Sequence, residues 1–228
     1  MCGRYVVNFS WQDIDRLLAG SVGDIDLDDL ADPSPNWNTA PTHEVPVLRT
    51  RDSVTRPETI AWGYQPHWSD TLLINAQAEK ATGKTWGKPF RTARCVVPAG
   101  GFYEWTGPPR NKTPLYITRA DGEPMLMAGL VMTTKDSTGV VVMTQKPNLE
   151  MEPVHRRMPA ILEPEVCGAW LDEQNQDDES LLPLCGPVAD GLLVMHQVSK
   201  RVGSVRNNDA SLIEPDEPGQ SGGLFGFD

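Results

Sequence analysis

The sequence predicts an α+β fold, a single domain of mainly antiparallel, barrel-like sheet with a few peripheral helices. Three observations predict it. Short runs rich in β-branched and aromatic residues recur along the chain, among them "RYVVNF", "ETIAWGYQPHW", "RCVVPAGGFYEW" and "GVVVMTQ", and such residues fit a pleated, half-buried surface. The links between several of these runs are too short for the crossover helices that parallel pairing requires. At 228 residues the chain is long enough to bury a core without disulfide or metal support.

The elements follow in order. "RYVVNF" reads as a strand, and in "SWQDIDRLLAG" Ser10 and Asp13 have the spacing of a capping box at a helix start. Residues 20–44 are acidic and rich in Pro, Asp and Asn, which predicts a long loop. "ETIAWGYQPHW" resumes a strand, and Asn75 in "INAQAEKATGKTW" is expected to cap a short helix. "RCVVPAGGFYEW" has strand character. "PLYITRADGEPMLMAGLVM" reads as a hairpin turning at Asp121-Gly122. "GVVVMTQ" is a further strand, "EPEVCGAWLDE" a helix and "GLLVMHQVS" the last strand. One domain over residues 1–213 is expected, followed by an acidic, Pro- and Gly-rich tail over 214–228 with the composition of a disordered segment.

Composition excludes several classes. Cys2, Cys95, Cys167 and Cys185 show neither C-x-x-C spacing nor histidines at zinc-ligand intervals, so neither disulfides nor a metal is expected. No apolar run approaches the roughly 20 residues of a membrane span, and no basic-then-apolar secretion signal opens the chain. A reduced, cytoplasmic protein is expected. P-loop, G-x-G-x-x-G and H-E-x-x-H patterns are absent, as are internal repeats, and no cofactor is expected. The net charge of −11 argues against a polyanionic partner. However, 16 of the 31 acids fall in residues 13–32, 172–179 and 214–228, whereas residues 75–94 carry Lys80, Lys84, Lys88, Arg91 and Arg94 against the single acid Glu79. Residues 194–208 likewise carry Lys200, Arg201 and Arg206 against none. A basic face on an acidic protein is compatible with this distribution.

Four residues have the chemistry of a site. With Met1 trimmed, Cys2 would present an α-amine and a β-thiol together, a 1,2-aminothiol that reacts with aldehydes; alternatively it is a small buried residue of the opening strand. Glu104 stands between Tyr103 and Trp105, where desolvation would suit general acid–base work, although strand alternation could equally turn it to water. His155 precedes Arg156 and Arg157, pairing a proton shuttle with groups that hold a phosphate or carboxylate, or it is a satisfied structural histidine. Asn75 is either a helix cap or part of an anion site.

Taken in order, "MCGRY", "WNTAP", "WGYQPHW", "INAQAE", "RCVVPAGGFYEW", "VHRRMPAIL" and "MHQVSKRVGSVRNN" resemble the SOS-response-associated peptidase family, the abasic-site processing proteins, over roughly Cys2 to Pro215. The resemblance implies that Cys2 becomes N-terminal and crosslinks to abasic sites in single-stranded DNA through a thiazolidine. It implies catalytic roles for Asn75, Glu104 and His155, and DNA contacts by Arg4, Asn38, Trp68, Gln77, Lys84 and Arg157. Lyase and self-peptidase activities are the accompanying expectations, with a Cys-dependent peptidase using Cys2, His155 and Glu104 as the alternative function. Where the family usually has Asn-Ala-Arg this chain has Asn75-Ala76-Gln77, which predicts weaker DNA affinity than a typical member. A monomer is expected. Gln220, Leu224 and Phe225 loosely resemble a peptide that docks on the sliding clamp.

Overall fold

The computed structural model describes residues 2–216 apart from Asp29, Lys135, Asp136 and Pro187, so Gln220, Leu224 and Phe225 lie outside the described residues. The elements are β1 (Tyr5–Val7), α1 (Trp11–Leu18), β2 (Asn36–Thr39), β3 (Glu44–Arg51), β4 (Val54–Trp62), β5 (Asn75–Gln77), α2 (Gly87–Thr92), β6 (Arg94–Ala99) and β7 (Gly101–Thr106). They continue with β8 (Thr113–Arg119), β9 (Met125–Thr133), β10 (Thr138–Gln145), β11 (Met158–Pro159), α3 (Pro164–Leu171), α4 (Asp178–Leu181) and β12 (Leu193–Gln197).

Two sheets form the domain. One runs β12-β8-β7-β1-β2. In the other, β4, β3, β6, β9 and β10 close into a ring, because β10 pairs with both β4 and β9. β10 also pairs with β5 and β11, and its pairings with β4 and β5 are parallel. The other ladders between these strands are antiparallel, as the short connections require. The ring is tightly filled: a Cβ at Gly129 would lie 2.7 Å from Cys95 Sγ and 2.8 Å from Val97 Cγ2. The main core also takes in Cys2 and the Trp11, Ile14 and Leu18 face of α1. Ser10 and Asp13 form the expected capping box, with side chain and backbone bonded reciprocally. No helix among the described residues is long and apolar enough to cross a membrane.

Four local expectations are corrected. β8 and β9 are not a hairpin: β8 lies between β7 and β12, and β9 between β6 and β10. The Asp121-Gly122 turn, with Gly122 at φ +76°, is instead a corner between sheets. Asn75 caps nothing, because it sits in β5 and the 3-10 turn over Ala78–Lys80 follows Gln77 without a side-chain cap. Residues 20–44 are not all loop, since polar β2 pairs with β1 through its backbone. The fold also extends past residue 213: Pro215 bridges Val198, and the Asp216 N–H donates to the Gln197 carbonyl.

Arg94, counted among the basic residues of 75–94, is buried and not part of any basic face. Its guanidinium donates to the carbonyls of Phe90 and Arg91 at the end of α2, and to those of Trp170, Asp172 and Asn175 at and beyond the end of α3. A cation here satisfies carbonyls that helix ends leave open and complements both dipoles. Arg94→Leu is expected to cost about 3 kcal/mol, because several desolvated carbonyls lose their donors together. Arg94→Lys should recover only part of this, since an ammonium lacks the fork. Urea denaturation midpoints check both.

Candidate functional site

The site forms where β1, β5, β7 and the segment between β10 and β11 converge. Cys2 is separated from β1 by Gly3 and Arg4; β1 runs between β2 and β7, and the Tyr103 N–H donates to the Arg4 carbonyl. That register brings the start of the chain beside Glu104 on β7. Cys2 is fully buried. Burial pushes its thiol up to about 12, and the Glu104 charge adds to the rise. Asn75 reaches across from β5, its Nδ2 donating 2.9 Å to the Cys2 carbonyl. Its Oδ1 is buried without a partner among the described residues.

Glu104 is turned away from solvent. Tyr103 packs into a second, smaller core cluster with Val6 and Tyr116, so alternation puts the Glu104 carboxylate on the opposite face of β7, toward Cys2. The two glycines before it do not make room for a ligand: a Cβ at Gly100 would sit 1.6 Å from Asn8 Oδ1, and one at Gly101 2.6 Å from the Ile117 carbonyl. His155 Nδ1 lies 3.9 Å from Glu104 Oε1. It is also 2.8 Å from the Arg157 carbonyl and 3.1 Å from the Arg157 N–H. Protonated at Nδ1, the ring donates to that carbonyl; deprotonated there, it accepts from that amide. The backbone of Arg157 thus offers a partner to either tautomer of the ring.

The four expected catalytic residues are therefore brought together, and the expected DNA contacts fall into groups. Gln77 lies on the Asn75 face of β5, in register with Thr144 of β10. Arg157 is only 13% exposed and is held by Glu79 and Thr144. Arg4 Nη1 donates 2.5 Å to Asn38 Oδ1 and 2.8 Å to the Val202 carbonyl. Asn38 is buried, and its Nδ2 donates to the carbonyls of Val202, Ser204 and Asn207. It therefore positions Arg4 from behind. Trp68, 60% exposed, and exposed Lys84 sit on the loops before and after β5.

Two residues of the site went unpredicted. Thr144 is fully buried, with Oγ1 3.4 Å from the Ala76 carbonyl and 3.3 Å from Arg157 Nη2. It is the first polar residue to break the run "VVVM", a signal visible in the sequence. Glu79, the lone acid of the basic segment, pairs with Arg157.

On this β-sheet scaffold a buried cysteine at the second position lies beside an amide and a carboxylate, and an imidazole lies beside that carboxylate. The family profile described as SOS response associated peptidase (SRAP) matches residues 1–205, and the chain belongs to that family. It is 34% identical over 224 residues to the abasic site processing protein YedK of Escherichia coli, an alignment covering 94% of this chain and all of the relative. It is 31% identical to the abasic site processing protein YoqW of Bacillus subtilis, covering 94% and 99%. Among solved structures, a phage-related protein of Bordetella bronchiseptica superposes with a TM-score of 0.72 at 25% identity, over 87% of this chain and 95% of that one.

Proposed function

We propose that the protein processes abasic sites in single-stranded DNA by capturing them covalently on Cys2 once Met1 is removed. The observation that carries the reading is the assembly of buried Cys2 and Glu104 with partly exposed Asn75 and His155 in one cluster. The names of the relatives, abasic site processing proteins, support it.

The chemistry balances with these residues alone. The ring-opened abasic sugar presents an aldehyde. The Cys2 α-amine adds to it and water leaves, forming an imine. The thiol then adds across the C=N bond while its proton passes to nitrogen, closing the thiazolidine. Glu104 moves protons during ring opening and imine formation. His155 serves the sugar oxygen and reversal of the link, and Asn75 Oδ1 is an acceptor for a sugar hydroxyl. An α-amine with an ordinary pKa of about 7.7–8.0 is the more available nucleophile near neutral pH, so amine attack precedes thiol closure. Strand contacts fall to Arg4, Trp68, Gln77, Lys84 and Arg157, with Trp68 stacking on a neighbouring base.

A peptidase at the same site would require the Cys2 thiolate as its first nucleophile. Catalytic thiolates form where neighbours are cationic. Here burial and an adjacent carboxylate act in the opposite direction. Denaturing intact-mass measurement after incubation with an oligonucleotide carrying one abasic site tests the proposal. The expected shift is the oligonucleotide mass less one water, on a starting mass lacking Met1; an unshifted mass, with the amine free and the abasic site intact, refutes it.

Gln77→Arg should restore a forked cation beside Arg157. We expect about three- to tenfold tighter binding of an abasic single strand and a log–log salt slope steeper by about one charge. Fluorescence anisotropy across a salt series checks both.

A further inference from the structure

The cation beside the site is already occupied. Arg157 Nη1 donates 2.7 Å to Glu79 Oε1, and Nη2 donates to the Thr144 carbonyl and, at 3.3 Å, to Thr144 Oγ1. The two Thr144 contacts anchor the guanidinium to β10, so Glu79 is not needed to orient it. Its effect is to neutralise it. Gln77 adds no charge, and the sum over Arg157 and Glu79 is zero. An incoming phosphate meets a guanidinium whose outward donor already serves a carboxylate, and is repelled by that carboxylate.

Glu79 is 45% exposed and borders a second place it can occupy. A cavity of about 350 Å³ is lined by Glu79, Gln145, Lys146, Leu182 and Cys185 among others. Gln145 faces this side of β10: strand residues two apart share a face, and Met143 lies with Sδ 3.9 Å from Cys185 Sγ. Gln145 is 2% exposed, and neither its amide nitrogen nor its oxygen has a partner among the described residues. Buried amides without partners are rare and costly. Lys146 lies near enough to add to the dominant hydrogen bond of Arg157 in holding the Glu79 carboxyl below the usual carboxylate range.

We propose that Glu79 is a two-position switch of the strand-binding site. Without a strand its carboxylate neutralises Arg157; when a strand phosphate takes Arg157, the carboxylate turns into the cavity, onto the Gln145 amide and Lys146. The proposal rests on the reading that this site binds abasic single strands. Displacing Glu79 opposes retention of any polyanion, so a strand stays only when further contacts or the covalent link hold it.

The test is equilibrium anisotropy with a labelled single strand carrying a tetrahydrofuran abasic analogue, which lacks the aldehyde and cannot crosslink. Glu79→Gln is expected to bind about three- to tenfold tighter. Gln145→Leu, which touches no strand, is expected to bind about threefold weaker in the wild-type background and to have no effect beside Glu79→Gln, the signature of a coupled pair. Gln145→Met replaces it should the leucine variant fail to fold. Glu79→Gln binding equally or more weakly, or a Gln145 effect that persists beside Glu79→Gln, overturns the switch while leaving strand binding intact. Folded wild-type protein that binds no strand removes both the switch and the reading beneath it.

Discussion

Cys2→Ala is expected to abolish covalent capture of an abasic strand completely, with no residual mass shift and little change in reversible strand affinity. Alanine keeps the α-amine but removes the thiol, so the reaction stops at an imine that water reverses. Cys2→Ser sharpens the result. Its amine still forms the imine, which borohydride reduction should trap, but the hydroxyl does not yield a durable link without reduction. A serine variant that crosslinks durably without reduction would sink the thiazolidine. The buried setting of Cys2 makes alanine a mild change for the fold, a loss of one sulfur from the main core cluster. Loss of capture can therefore be assigned to chemistry once the unfolding free energies of variant and wild type from urea denaturation agree within about 2 kcal/mol.

Much of this architecture is legible in the sequence, and the failures share a cause. The helix start at Ser10 was readable because a capping box is local, and the strand runs because β-branched residues declare themselves. Partnership is not local. The stretch from β8 through Asp121-Gly122 to β9 has every short-range mark of a hairpin, but each strand has neighbours elsewhere and the turn becomes a corner. β2 escaped because Asn36–Thr39 has no hydrophobic alternation and is held by the β1 backbone. Arg94 reads as a surface cation, and only the meeting of two helix ends shows why it is buried. In the site, Cys2, Asn75, Glu104 and His155 each had an adequate structural reading taken singly. The ordered resemblance picked them out, and the fold supplies their proximity. The Glu79–Arg157 pair, 78 residues apart, had no local signal beyond one acid among lysines.

Glu104→Gln is expected to slow crosslinking by about 10²-fold, within the range for a lost general acid–base group, with strand affinity unchanged. The direction is informative because two effects of the carboxylate oppose each other. Its charge helps hold the Cys2 thiol high, so the neutral amide should ease thiolate formation. Were thiolate supply limiting, as in a peptidase, the variant would react faster. Were proton transfer to and from the amine and the sugar limiting, the variant would be slower, since glutamine keeps the shape of Glu104 and one acceptor oxygen but accepts no proton. Single-turnover kinetics at several pH values separate these cases. A slower variant whose rate recovers toward high pH, as the amine loses its proton to solvent, fits Glu104 as the acceptor in imine formation. A variant as fast as wild type at every pH would leave Glu104 only its place beneath Cys2 and His155, and proton transfer would have to be reassigned to His155.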